Sequence, residues 1–420
     1  MQKSVDQIVD HLFRHEAGKM IAVLSKLLGL QNLQAAQDIV QDTLLQALGT
    51  WSYNGLPTNP AAWLYTVARN RAIDYLRREK RFQGVRAQHA YLIEADHLSK
   101  PVHPLFNESA IEDSQLKMIF ACCHPSIPIE SQIALALRTL CGLSVAEIAH
   151  AFLKDEETIA KRIYRAKEKI RAEKIEMELP SADQLPGRLN AVLHCLYLLF
   201  NEGYNSSHTQ LLIREDLCED AMRMAFMLTQ NAFTNLPRTN ALLALFCFQA
   251  SRLHSRLDEG GNIILLKHQD RSKWYRPLIK KGCSFLEFAT QKETSIYHLE
   301  AAIAYLHAIS PTFKTTDWKA IYYLYNLLAS HHTSPFVMLN KAIAASYAVS
   351  KQVALSQLQQ LKGLENYYLY HTAIGEICFD LDLRQDAKGY YEKAFSLTRS
   401  LAEQQLLQEK ILGCAEGITV

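Results

Sequence analysis

An all-α fold is predicted for this chain of 420 residues, on three observations. Apolar residues recur at i, i+3, i+4 and i+7 in segment after segment. Residues 188–420 show no sustained alternation of the kind a half-buried strand needs. Helix starts and stops are marked by capping residues and by breaks rich in Pro and Gly. At this length one core does not suffice, so two or three domains are expected.

The first helix spans 4–28, with Val9, Leu12, Phe13, Met20, Val23, Leu24 and Leu27 on its inner face. Asn32 is positioned to cap a second, which runs to about Leu48 with Leu33, Ala36, Val40, Leu44 and Ala47 inward. Its other face carries Gln34, Gln37, Asp38, Gln41 and Asp42, either a solvated surface or a docking face for a basic or polar partner. A turn-rich loop, Tyr53 to Pro60, leads into a third helix, where the missing N–H of Pro60 costs nothing. Leu64, Val67, Ala68, Ala72 and Leu76 pack inward, while Trp63, Tyr65, Arg69, Asn70, Arg71, Arg77 and Arg78 mix rings with cations. That mixture suits unstacked nucleic acid, since rings stack on bases and arginines neutralise phosphate. Residues 82–112 read as a linker, followed by helices over Asp113–Cys123 and Ile129–Cys141.

From Leu143 to Arg171 two helices meet at a short turn. Val145, Ile148, Ala149 and Phe152 form the inner face of the first, and Ser144 with Glu147 has the capping-box spacing. Asp155 can cap the second, with Glu156 and Glu157 in its positive first turn. Ile159, Ile163, Ala166 and Ile170 make its buried stripe, and Lys161, Arg162, Arg165, Lys167, Lys169 and Arg171 occupy the other faces. A helix-turn-helix with a cationic second helix is the geometry that enters a DNA major groove.

Composition supports a globular protein, with 49% apolar and 21% charged residues. The longest apolar run, Ala241 to Phe248, falls far short of the roughly 20 residues that span a bilayer. Acids stand where a signal peptide would have its apolar core, so a cytoplasmic location without membrane partners is expected. The odd count of nine cysteines fits a reducing compartment. Cys122-Cys123-His124 lacks further ligands at zinc spacing; a buried thiol pair is expected there, and no metal or cofactor. Net charge is +2, with 22 basic against 21 acidic residues in 1–180 and 23 against 22 in 181–420. A nucleic-acid footprint must therefore be local. Two stripes qualify, Arg69–Arg86 and Lys161–Lys174, each with seven basic residues against two acids.

These stretches carry a family resemblance. DIVQDTLLQAL (38–48) followed by NPAAWLYTVARNRAIDYLRR (59–78) resembles region 2 of bacterial sigma factors. LSVAEIAHAFL with TIAKRIYRAKEKIR resembles their region 4. Order and spacing are similar to the extracytoplasmic-function (ECF) group, which keeps only these two domains. The resemblance implies region 2 in 1–81, a linker in 82–112 and region 4 in 113–178. It implies core RNA polymerase and promoter DNA as partners. Asp38, Gln41 and Asp42 would meet the polymerase clamp, and Trp63, Tyr65, Arg69, Asn70, Arg77 and Arg78 the opened −10 element. Thr158, Lys161, Arg162 and Arg165 would enter the −35 groove, with Lys167, Lys169 and Arg171 on backbone phosphate.

Residues 188–420 read as a helical-repeat domain. Ala342, Ala354 and Leu358 recur 33 residues later as Gly375, Ala387 and Tyr391, with Ala394 following, a tetratricopeptide-like pattern of small residues where paired helices touch. Three polar motifs stand out: NEGY (201–204), Arg214 with Asp216, and HQDRSKW (268–274). His268 and Asp270 could serve as acid and base, but no nucleophile, metal cluster or phosphate loop accompanies them. An Asp–Arg network shaping a turn is preferred, and no enzyme is expected. LDEGGNIILLKHQDRSKW (257–274), TDWKAIYYLY (316–325) and SPFVMLNKAIA (334–344) resemble the C-terminal extension of an ECF subgroup with a tetratricopeptide-like domain. That family's DGG appears as Asp258-Glu259-Gly260-Gly261, and Tyr275 stands where an acid is usual. Asp270, Arg271 and Trp274 would be its motif residues, and regulation through a protein or intramolecular partner its role. The alternative is a stand-alone helix-turn-helix regulator with a helical ligand- or protein-binding domain.

Overall fold

Helices follow one another from end to end of the computed structural model, which describes residues 5–83, 106–152, 154–206, 212–290, 293–398 and 400–415. They form two compact units, Met1–Leu199 with Glu219–Thr234, and Phe200–Cys218 with Asn235–Val420.

In the first unit α1 (Val5–Leu28), α2 (Leu33–Asn54) and α3 (Pro60–Gln83) pack on one another. Met20, Val23 and Leu24 of α1 and Leu64, Ala68 and Ala72 of α3 are buried, on the stripes the periodicity predicts. Asn32 does not cap α2. A short 3-10 turn, Leu30–Asn32, intervenes, and the Asn32 side chain donates back to the Leu28 carbonyl at 2.8 Å. α2 also runs on past Leu48 to Asn54, burying Trp51, before Gly55 ends it. Asn59 then caps α3, its Oδ1 accepting from the Ala62 amide at 3.0 Å.

Most of the expected linker lies outside the described residues, as do Leu153 and the side chains of Val9, Lys80 and Arg81. Its last residues are helical: α4 runs Glu108–Cys122, because Asn107 accepts from the Ala110 amide and caps it five residues earlier than the polarity suggested. α5 (Ile129–Leu140), α6 (Val145–Ala151) and α7 (Glu156–Ala172) complete the helix-turn-helix and its scaffold. Ser144 and Glu147 form the reciprocal capping box at 2.6 and 3.1 Å.

The two halves of this unit meet through α1, which packs on α4 and α5. At the crossing a Cβ on Gly18 would stand 2.1 Å from the Leu140 carbonyl oxygen, so only glycine fits. Beside it Glu16, 5% exposed, accepts from the Tyr65 hydroxyl of α3 and from Lys19 at 3.1 Å, with His15 alongside. Burial alone would raise the Glu16 carboxyl, but these partners outweigh it and hold the pKa at about 2. Cys122 and Cys123 are buried thiols; Cys122 lies 3.5 Å from Thr139 Oγ1, and burial pushes it up to about 12.

The first unit also takes in most of α8 (Leu185–Tyr204) and α9 (Glu215–Gln230). In the second unit α10 (Pro237–Ala250) is buried along the whole run Ala241–Phe248 and packs on α11 (Arg276–Ala289) and α12 (Ile296–Ile309). Then α13 (Trp318–His331), α14 (Pro335–Ala348), α15 (Lys351–Gln359), α16 (Tyr368–Asp380), α17 (Arg384–Leu397) and α18 (Leu401–Ala415) stack successively. The 33-residue pattern falls where α14–α15 and α16–α17 touch: Ala342, Ala354, Leu358, Ala387, Tyr391 and Ala394 are all buried. A Cβ on Gly375 would meet the Tyr391 ring at 2.6 Å.

Two outcomes follow for the first unit. Gly18→Ala should lower the unfolding midpoint, because overpacking costs about 1–3 kcal/mol, more than the ~1 kcal/mol of helix propensity gained. An unchanged or raised midpoint in urea would show that α1 does not cross α5 this closely. Glu16, whose pKa drops from an ordinary 4.5 to about 2, contributes stability that is fully present above pH 4.5 and lost as pH falls toward 2. Of the full loss, on the order of 3 kcal/mol, about 2 kcal/mol falls between pH 6 and pH 3; it should be absent in Glu16→Gln, read from the two proteins' urea midpoints at those two pH values.

Candidate nucleic-acid interface

α7 shows its cations because of how it is seated. Ile159, Ile163, Ala166 and Ile170 are buried against α5 and α6, as the stripe predicts. Asp155 starts the helix: one carboxylate oxygen accepts from the Thr158 amide at 2.7 Å, the other from the Thr158 hydroxyl at 2.8 Å. Those two bonds hold its carboxyl below the usual range. Thr158, Lys161, Arg162, Arg165 and Lys169 recur at i, i+3, i+4, i+7 and i+11 and so share one face. Lys161 pairs with Glu157 at 2.6 Å and Lys169 with Glu173, exposed pairs within one helix that phosphate can displace at little cost. Arg171 pairs with Glu168 at 2.8 Å. Among the described residues no carboxylate lies within ion-pair reach of Arg162 or Arg165. Tyr164, 65% exposed, stands one turn on from Lys161. Its signal was an aromatic on the polar side of a cationic helix.

Lys167 departs from the phosphate-holding expectation. It projects to the other side of α7 and donates to Gln34 at 2.9 Å and to Gln37, both on α2. Burial, then the charge of Arg138, lowers its pKa.

On α2, Asp38, Gln41 and Asp42 are exposed on one face. Asp38 accepts from Gln34 at 2.8 Å, and Asp42 pairs with Arg71 of α3 at 3.1 Å. Leu45 (58% exposed) continues that face at i+7 from Asp38, with Leu48 (46%) beyond it. Two open leucines on an otherwise amphipathic helix were the sequence signal for them.

The six residues of α3 divide. Trp63, Asn70 and Arg77 recur at i, i+7 and i+14 on one side; Trp63 is half-buried, edge-on to Trp51 at 5.4 Å, and Asn70 is exposed. Arg77 and Arg78 both bond to Asp74, through its carboxylate at 3.5 Å and its carbonyl at 3.4 Å. Tyr65 points the other way, bonded to Glu16 and stacked on Phe106 with centroids 4.7 Å apart. Arg69, also half-buried, keeps an Nε without a hydrogen-bond partner. Tyr65 is therefore held inside the unit and not on the cationic surface.

In the second unit Asp270 caps a 3-10 turn, accepting from the Ser272 amide at 3.0 Å and its hydroxyl at 2.6 Å. Arg271, 5% exposed, donates to the His307 and Ser310 carbonyls at 2.8 and 2.9 Å and to Thr316 at 3.1 Å. Trp274 is buried. The two charged neighbours hold different turns instead of pairing, and His268 is exposed.

Comparison with known proteins fits this layout. Residues 12–82 match sigma-70 region 2, residues 117–170 match sigma-70 region 4, and residues 188–290 match a family of unknown function, DUF6596. An uncharacterized protein of Rhizobium meliloti is 34% identical over 91% of this chain and 90% of its own length. The RNA polymerase sigma-H factor of Pseudomonas aeruginosa is 29% identical over 34% of this chain and 78% of its own. The ECF RNA polymerase sigma factor BldN of Streptomyces coelicolor is 31% identical over 31% of this chain and 47% of its own. No solved structure matches the chain. With both sigma-70 regions matched on the helices that display these surfaces, the chain belongs to the RNA polymerase sigma factors, ECF-like in its two regions and extended by a DUF6596 segment.

Proposed function

We propose that this chain acts in the cytoplasm, directing core RNA polymerase to a particular set of promoters, and that its C-terminal unit regulates that activity. One observation carries the promoter-reading part: Arg162 and Arg165 stand on one face of a firmly seated helix, with no carboxylate of the described residues within ion-pair reach. Arginine bidentate to a guanine supplies roughly 1–3 kcal/mol of base discrimination. Thr158, Lys161 and Lys169 flank them, and Lys169 would hold phosphate. At the −10 element Trp63, Asn70, Arg77 and Arg78 would meet the displaced strand, with Arg69 beside them. Tyr65 would act behind them, bracing α3 on Glu16.

Asp38, Gln41 and Asp42 would dock on the polymerase, and the adjoining Leu45 and Leu48 supply the apolar centre that a polar strip alone lacks. The C-terminal unit is proposed to be tetratricopeptide-like, with a protein or intramolecular partner. Its support is the small-residue packing of α14–α17 and a recess of about 210 Å³ lined by Phe336, Leu339, Ile343 and Tyr367. Asp270, Arg271 and Trp274 would hold the loop that joins this array to α10.

Reconstituting core polymerase with the purified chain and sequencing the transcripts tests the reading. Promoter-specific starts are expected; a chain that binds duplex promoter DNA tightly by itself and ignores polymerase would instead be a stand-alone regulator. Arg165→Ala should reduce transcription roughly 10-fold or more and relax preference at one −35 base pair, by the 1–3 kcal/mol above. Leu45→Asp should abolish polymerase capture while leaving the chain folded by circular dichroism. Undiminished capture would remove α2 from the docking surface.

A further inference from the structure

The segment matching DUF6596 contains a ladder of cations and rings. The Arg256 guanidinium lies 3.9 Å from the centroid of Tyr204. Arg252 lies 5.5 Å from the same ring and 6.0 Å from Trp274, and Arg271 lies 5.1 Å from Trp274. Three positive charges thus alternate with two aromatic faces. Ring faces hold a cation but leave its charge in place.

Among the described residues, every hydrogen-bond acceptor of these guanidiniums is neutral. Arg256 donates to the Tyr204 carbonyl and to the Asn205 amide oxygen. Arg252 donates to Gln249 at 3.1 Å and to Gln269 at 3.5 Å. Arg271 takes the two carbonyls and the threonine hydroxyl described above. Among the described residues no carboxylate stands within ion-pair distance of any of the three. The acids of the same motifs are engaged elsewhere, Asp216 with Arg214 and Asp258 with the backbone of Gly260 and Asn262. Donors are left over on the ladder itself: Arg271 Nε, Trp274 Nε1 and the Tyr204 hydroxyl are buried without a hydrogen-bond partner.

A buried cation without a counter-charge is costly, and beside buried Arg271 the half-buried Arg252 and Arg256 add repulsion along the ladder. We propose that this cluster binds the phosphate group of a small molecule. A lone carboxylate would leave two of the three charges uncompensated, whereas a phosphate dianion offers more charge and more acceptor positions to forked guanidinium donors. The rings are already covered by guanidiniums, so a ligand is held here by its phosphate and not by stacking. Burial and the like charge of Arg252 lower the pKa of Arg271, and burial with Arg252 and Arg271 drives His307 down to about 3, consistent with a positive field at the cluster.

The test uses the full chain in chloride buffer without polymerase, so it stands or falls separately from the transcription reading. Inorganic phosphate and pyrophosphate at millimolar concentration should give heat on titration and raise the unfolding midpoint by about 5 °C. Glycerol phosphate matching inorganic phosphate would point to an ester-bearing ligand, and a clear preference for inorganic phosphate to the free ion. Arg252→Gln should weaken phosphate at least tenfold without lowering the unliganded midpoint, because it relieves repulsion. Arg252→Lys, which keeps the charge, should retain most of the binding. Absence of heat and shift with the unaltered chain overturns the proposal, as does an equal response to acetate. A lowered Arg252→Gln midpoint with undiminished phosphate affinity overturns it too, leaving the ladder a purely structural stack.

Discussion

The first unit depends on one close approach, Gly18 of α1 against the carbonyl end of α5. Because no side chain intervenes there, α1 can belong to two helical groups at once, closing the region 2 bundle on one side and covering α4 and α5 on the other. Interiors are close-packed, so a small displacement at such a crossing spreads along both helices. The seating of α7 inherits this: its isoleucine stripe rests on α5, which in turn is fixed by α1. The face that holds Arg162 and Arg165 is aimed by residues more than a hundred positions earlier in the chain.

Charge is treated differently in the two units. In the first, the buried carboxylate of Glu16 is surrounded by donors from its own helix and from α3, so burial is more than offset. The exposed cations of α7 are mostly balanced by acids within one helical turn, and those left unbalanced lie on the surface that faces DNA in the proposed mechanism. In the second unit the guanidiniums of Arg252, Arg256 and Arg271 lean on aromatic rings and neutral oxygens. A protein built only for stability has little reason to gather three cations around two rings with no acid of the described residues in ion-pair reach.

What the sequence could reveal follows from range. The α7 stripe, the Ser144–Glu147 box and the Asp155 cap are interactions within a few residues, and each is found where the pattern put it. Asn32 looked like a cap because cap residues are recognised by type; a 3-10 turn placed its side chain next to the preceding helix instead. Asn107 was overlooked because the polar stretch before it masked the helix start. Tyr65 sits on the flank of the inner stripe of α3, and only its partner Glu16, 49 positions away, decides which way it faces. Lys167 is likewise settled by glutamines 130 or more positions earlier. The Arg252–Arg256 pair was invisible as a feature, since its rings lie in two other motifs, NEGY and HQDRSKW.

The contact of Lys167 with α2 has a consequence for what can part the two sigma regions. Both of its acceptors are uncharged amides, so this bond is one that ionic strength screens only weakly. What remains between the regions at α1 is apolar surface, a backbone-to-backbone crossing and one exposed ion pair, Lys26 to Asp113 at 2.7 Å, of a kind that contributes little. Raising the salt should therefore leave them together, and prying them apart falls to an apolar competitor large enough to take the place of one of the two faces.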